Sequence, residues 1–411
     1  MRKPTFPARN ERGIALALVL FGLVIMGAVL TGSFMAVRLD TNSATYATFA
    51  AEAQGAAEAG LAQVYANWDP TTHSVMPIWD GTTATEIGRD LHDLNAAAPD
   101  PFRQVADTVR RLNSQLFLVR AFGVRKGAGG QILAKLGVAQ LFRISKPTIG
   151  VNAAVTVMDP LKLNGDAFVI SGMNALPDQW SAAECDPLDP GNGDDLVGIR
   201  SATATGMTGS DADNVFGYPT ADVPNDPSIT DADFQDYLDY TYATLGAQPG
   251  VKLLPLSSTY NGVAPVLDIS TLPPSCDKSA PLNFGEPWRT PPTVGAIPQC
   301  YGYFPVVHGT GGTTKFGAGN RGQGTLLVDG DLELTGDFEW LGLIIVKGAI
   351  KINGNGNKLT GAVFAQGVDI LTAGAVSGNV DIQYSKCAVD KAVGGATLAL
   401  PLGQRSFVQL Y

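Results

Sequence analysis

The chain has 411 residues, 38 acidic against 28 basic side chains, a formal net charge of −10, and 45% apolar residues with 48 Gly and 26 Pro. Low charge with this much apolar content excludes a disordered polyelectrolyte and fits a strand- and loop-rich folded body, long enough for two or more cores. The acidic balance argues against nucleic acid as a partner.

Ile14 to Val37 is a run of 24 residues without a charge. As a helix it spans about 36 Å, more than the roughly 30 Å hydrocarbon core of a bilayer. A secretory signal has an apolar stretch of only about 7 to 15 residues, although "GSFMA" at 32–36 keeps a cleavage reading open. Arg2, Lys3, Arg9 and Arg12 precede the run against Glu11 alone, and Arg38 follows it. That bias keeps the N-terminus in the cytoplasm and exports everything after Val37, with one crossing of the inner membrane. The predicted elements begin with a leader over 1–13 and one helix over 14–67. Residues 38–67 are Ala-rich and lack Pro, and Asp69–Pro70 ends the helix.

Residues 68–150 read as an α/β region. "PDPFRQVADTVRRLNSQ" (99–115) suggests a short helix, and 116–145 two β-prone runs about the turn Gly127–Gly130, a hairpin pattern. Residues 151–323 read as strands and loops, with strand signals at 153–174 and a helix at 230–246. Loop signals this long point to a segment that wraps another element or is itself functional. From 324 to 395 the sequence repeats every eighteen residues. Apolar residues coincide at Leu326, Ile344 and Ala362; at Val328, Val346 and Phe364; at Leu332, Ile350 and Val368; and at Leu334, Ile352 and Ile370. Such a period predicts a β-solenoid of about 18 residues per coil, with "VSGNVDIQYS" (376–385) capping it and 396–411 as a C-terminal segment. The fold class is α+β: a long N-terminal helix, membrane-like in its first half, then a mainly β body ending in the solenoid.

Candidate chemistry is sparse. His73, His92 and His308 stand at no ligand spacing, and no G-x-S-x-G, H-E-x-x-H or P-loop occurs. Asp329, Asp331, Glu333, Asp337 and Glu339 alternate along a strand pattern, which describes a solvated face or a polysaccharide-cleaving groove. The acidic loops at 185–195 and 209–214 gather Asp186, Asp189, Asp194, Asp195, Asp211 and Asp213, oxygen donors of the kind that bind calcium, though neither matches an EF-hand. Four cysteines in an exported body permit disulfides in three pairings. A Cys276–Cys300 bridge would staple a Pro-rich stretch; Cys185 and Cys387 are the other candidates.

The leader ending in Gly13 directly against an apolar helix resembles the class III signal of type IV prepilins. "AAEAGL" (56–61), with Glu58 and Gly60, resembles the segment closing the N-terminal region of PilX-like minor pilins. "CDKSAPLNFGEP", "CYGYFPVVH", the repeat from Gly322 and "YSKCAV" are similar to large PilX-like pilus assembly proteins. The resemblance implies cleavage by a prepilin peptidase between Gly13 and Ile14, methylation of the new N-terminus, and a non-enzymatic role. Its implied partners are other pilins and an inner-membrane assembly platform, within a type IV pilus or a type II secretion-like filament. One position departs from the major pilins: where they carry a glutamate five residues after the cut, this chain has Leu18. A free N-terminal ammonium buried without that partner is costly, so the expectation is a minor or tip subunit, priming assembly or mediating adhesion. The competing expectations are a membrane-anchored enzyme acting on polysaccharide through Asp331 and Glu333, and an exported carbohydrate-binding module.

Overall fold

The structure is a computed structural model. It describes residues 12–411 apart from 69–72, 74–75, 83–84, 95–98, 160, 165–167, 179, 181–184, 186–194, 204–212, 238–239, 249, 256–258, 271–272, 288–299, 372–379, 403–406 and 411.

One unbroken helix, α1, runs Arg12–Ala66 over 55 residues. The absence of proline and the abundance of Ala and Leu favour it. The hydroxyls of Thr31, Thr41, Thr45 and Thr48 bond back to carbonyls four residues earlier at 2.8–3.0 Å, so these polar groups are satisfied without water.

The C-terminal part of α1 lies on an antiparallel sheet made of β1 (Glu86–Asp93), β2 (Arg103–Arg111), β3 (Leu116–Lys126) and β4 (Ile132–Ser145), joined in chain order. Ala53, Ala57, Leu61 and Val64, spaced as one helical face, are buried there together with Val105, Val109, Phe117, Val119, Val138 and Phe142. The β3–β4 hairpin is present, its turn closed by bonds between Gly127 and Gln131 and between Gly130 and Gly127. The helix expected within 99–115 is instead strand β2. Val105, Asp107 and Val109 alternate inward, a period of two that pairing on both sides enforces. Buried Asp107 is held by Arg89 of β1, Nη2 to Oδ2 2.7 Å. The strands Leu398–Pro401 and Phe407–Leu410 return to the same sheet, both pairing with β4.

The second sheet has fifteen strands, and among the described residues every ladder in it is parallel. Arg321–Val328 pairs with the first half of Glu339–Asn353, residue on residue eighteen positions later, and Asp331–Leu334 pairs with its second half likewise. Next comes Asn357–Leu371, where the offset is nineteen at first and returns to eighteen beyond a bulge between Val346 and Ala349. Ile344 therefore faces Val363 rather than Ala362, and Val346 faces Ala365 rather than Phe364. The turn around Gly354–Gly356 holds one residue more than its predecessor, and the bulge removes it again. The lower columns, Leu332–Ile350–Val368 and Leu334–Ile352–Ile370, stand in the expected register and are buried.

Strands before residue 324 belong to the same sheet. Val306–Gly309 and Thr313–Phe316 precede the repeat, while Ala153–Val157 and Leu161–Asn164 pair with Asn357–Leu371 from the other side. Val380–Tyr384, expected to cap the repeat, lies between Asn357–Leu371 and Phe168–Ser171 and so is interior. Helix Lys386–Gly395 then packs on Arg321–Val328 and Glu339–Asn353 through Ala388, Ala392 and Val393.

The single helix expected over 230–246 is two five-residue helices, Asp231–Gln235 and Tyr242–Gly246, separated by a ladder of Asp236–Tyr237 with Tyr240–Thr241. Capping at Thr230 and again at Thr241 restarts the helix, leaving Phe234, Tyr237, Tyr240, Tyr242 and Leu245 all inward. Among the described residues, carbonyls of the loops around 260–266, 277, 300–303 and 317 are bonded by the side-chain amides of Asn283, Asn320 and Gln323. Asn283 donates to the carbonyls of Val266 and Asp277, Asn320 to those of Tyr260 and Gly317, and Gln323 to those of Cys300, Tyr301 and Tyr303.

Candidate functional site

The body covers only the last third of α1. Between Leu16 and Val37 fourteen large apolar side chains are exposed, Leu18 at 64% and Phe21 at 64% among them. At roughly 1.5 kcal/mol for each side chain transferred from water to an apolar surrounding, burying this stretch is worth on the order of 20 kcal/mol. The helix is long and apolar enough to cross a membrane. A segment of this kind is stable in a bilayer or packed among other helices, and not in water.

Where the helix meets the body, Glu52 pairs with Arg125 of β3, whose guanidinium also lies over the rings of Phe49 and Phe102 at 5.6 and 5.1 Å. This collar fixes the angle at which the free portion leaves. Beside this pair Ala51, Glu52, Gly55 and Ala59 border a groove of about 600 Å3 closed by Leu94, Asp100 and Arg103. Deeper in the contact Gly123 of β3 lies against the helix backbone: a Cβ there would meet the Ala53 carbonyl and sit 2.5 Å from the Ala57 nitrogen.

Of the residues singled out by sequence, Gly13 and Ile14 fall within α1, with their side chains outside the described residues. Glu58 is exposed and accepts a hydrogen bond from Gln54 at 2.8 Å. Gly60 is buried against the Val105 side chain. The structure joins Cys276 to Cys300 and Cys185 to Cys387. Asp186, Asp189, Asp194 and Asp211 lie outside the described residues; Asp195 accepts the Asn174 amide at 2.8 Å, and Asp213 is exposed. Among the described residues no three His, Cys, Asp or Glu side chains gather as a metal site.

Two acids of the repeat, Asp331 and Glu333, have partners one coil away. Glu333 accepts from Lys315 at 2.8 Å, and Asp331 accepts the Ala349 amide at 2.9 Å and lies 3.5 Å from Lys351. Lys315, Glu333 and Lys351 stand in one column of the ladder, so charge alternates up the outer face. His308 has both ring nitrogens engaged, with Gly246 and Asp329. Its partners lie 62 and 21 residues away, and no local spacing in the sequence signals them. Arg125 with Glu52 and Gly123 with Ala53 are likewise distant in sequence and carry no local signal.

No known family profile matches the chain, nor does any curated protein. Among solved structures, a competence-associated pilin, ComZ from Thermus thermophilus, is similar at 16% identity over 88% of this chain and 98% of its own, with a TM-score of 0.25, a value from which no fold assignment follows.

Proposed function

We propose that this chain is a non-enzymatic minor subunit of a type IV pilus or type II secretion-like filament, held by α1 in the inner membrane before assembly and packed among other pilin helices afterwards. The observation that carries the reading is the uncovered half of α1, Leu16 to Val37, projecting from a body that grips only its far end. Such a helix exchanges one apolar surrounding for another at small net cost, which is what extraction from a bilayer into a filament requires. The leader ending at Gly13 supplies the processing site, and the N-terminus remains cytoplasmic until then. Leu18, in place of an acid, leaves the new N-terminal ammonium without an internal counter-charge and favours a terminal or minor position, where the subunit primes assembly or mediates adhesion.

The stacked parallel strands from 306 to 371 are read as a β-solenoid, on the strength of a register that advances by eighteen or nineteen residues from strand to strand. Its acids support a structural rather than hydrolytic role, because Asp331 and Glu333 are tied to lysines of neighbouring coils. Calcium in the acidic loop around Asp186 to Asp195 belongs to the same reading on sequence grounds.

The test is the mass of the mature N-terminal peptide after expression with and without a prepilin peptidase. A peptide starting at Ile14, N-methylated, in the presence of the peptidase alone is expected. An intact leader, or a cut near Ala36, refutes the assignment.

A further inference from the structure

A half-buried polar cluster lies beside the end strand Lys252–Leu254 of the parallel sheet. His308, on Val306–Gly309, places Nδ1 3.2 Å from the carbonyl oxygen of Gly246 and Nε2 3.0 Å from Asp329 Oδ1. Gly246 closes the short helix Tyr242–Gly246, whereas Asp329 directly follows Arg321–Val328. The imidazole meets the Tyr242 ring edge-on at 5.9 Å, and the Lys347 ammonium lies 4.1 Å from the centre of that ring. The approach is close by construction, since a Cβ on Gly246 would stand 2.5 Å from Nδ1.

Both oxygens that face the imidazole are acceptors. A neutral imidazole carries one N–H and one lone pair, so it satisfies one oxygen and turns a lone pair toward the other; only the imidazolium donates to both. Among the described residues the charged groups that face the ring are Asp329, one-third exposed, and, across Tyr242, Lys347. Tyr242 stays neutral because burial, and secondly the Asp329 charge, raises its phenol.

We propose that His308 is a proton-operated clasp: protonated, it pins the Tyr242–Gly246 helix to the parallel sheet, and neutral, it lets that helix go. The released element would carry with it Gln248, Gly250 and Val251, which line a cleft of about 450 Å3 shared with Trp68, just past the end of α1, and with Tyr303 and Phe304. The clasp therefore couples external pH to the junction between the helix-bearing sheet and the parallel sheet.

Hydrogen exchange by mass spectrometry on the full chain in detergent micelles, from pH 5 to 8.5 with rates corrected for intrinsic pH dependence, tests it. Peptides covering 240–251 are expected to exchange at least about tenfold faster above the histidine titration range than below it, the worth of one charge-assisted hydrogen bond. Peptides from Glu339–Asn353 should not change. His308→Gln should flatten the profile, and so should Asp329→Asn, whose amide can donate to the lone pair of a neutral ring. Identical corrected rates across the range in the wild-type chain overturn the proposal without any variant. A transition that persists in His308→Gln or in Asp329→Asn overturns it equally.

Discussion

Replacing Gly123 by alanine tests how the body holds α1. The added methyl would meet the Ala53 carbonyl, with the Ala53 carbonyl carbon at 3.0 Å and the Ala57 nitrogen at 2.5 Å. All three are helix backbone, which cannot rotate aside, so α1 must lift from β3 by about an ångström. A gap of that size forfeits a quarter to a half of the dispersion attraction across the contact, and overpacking typically costs about 1–3 kcal/mol. Because Ala53, Ala57, Leu61 and Val64 all lose contact together, we expect the upper end, about 3 kcal/mol. Gly60→Ala is the internal comparison. Its nearest neighbours are all in the Val105 side chain, Cγ2 closest, then Cβ and Cγ1 at 3.2 and 3.3 Å; a side chain can yield where backbone cannot, so a smaller loss of about 1 kcal/mol is expected. The assay is protection of the 53–64 and 116–126 amides against hydrogen exchange in detergent, the ratio of opening constants giving the free-energy difference. Equal protection in wild type and Gly123→Ala, or a larger loss in Gly60→Ala, refutes the backbone-contact reasoning.

Other consequences are open to measurement. Asp226 accepts from Ser228 and then Arg200, which together hold its carboxyl down to about 2. Its contribution is therefore full above about pH 4 and lost as pH falls toward 2, and Asp226→Asn should cost ~1 kcal/mol at pH 7 after solvent screening and flatten the acid limb of a stability–pH curve. A double-mutant cycle of Lys315→Met and Glu333→Gln should give a coupling of about 0.5 kcal/mol, as expected for a partly exposed pair; zero coupling would remove the charge column as a stabilising feature. Opening the Cys276–Cys300 bridge, whose cysteines lie 24 residues apart in sequence, should cost about 3 kcal/mol by loop entropy. Thermal unfolding of the Cys276→Ala/Cys300→Ala chain should register that loss, and an unchanged midpoint would show the loop to be held by Asn283, Asn320 and Gln323 alone.

Legibility of the fold in the sequence followed the range of the interactions concerned. The helix was readable because its determinants are local: an uncharged run, then alanines, then Asp69–Pro70. The lower columns of the repeat were readable because a parallel stack imposes one period on inward residues. The upper columns slipped by one between Ile344 and Val363, because a turn of one extra residue and a compensating bulge cancel over a coil, and counting in eighteens passes over both. Strand β2 read as a helix because its inward set includes Asp107, a carboxylate made tolerable only by Arg89 on the neighbouring strand. Of the candidate site, the apolar face was visible, whereas the collar at Arg125 and the backbone contact at Gly123 depend on which strand the helix lies across.

The return of Leu398–Pro401 and Phe407–Leu410 to β4 makes the parallel sheet a nested insertion within the helix-bearing sheet. Everything from Ala153 to Gly395 is laid down between two parts of one small structure, which closes only when these two strands pair. A chain without residues 398–410 would keep α1 but leave the edge of β4 bare, and would lose the Gln409 side-chain bond to Gln54 on α1. Seating of the helix thereby depends on strands more than 300 residues away from it, so that loss of those strands loosens α1 on its sheet.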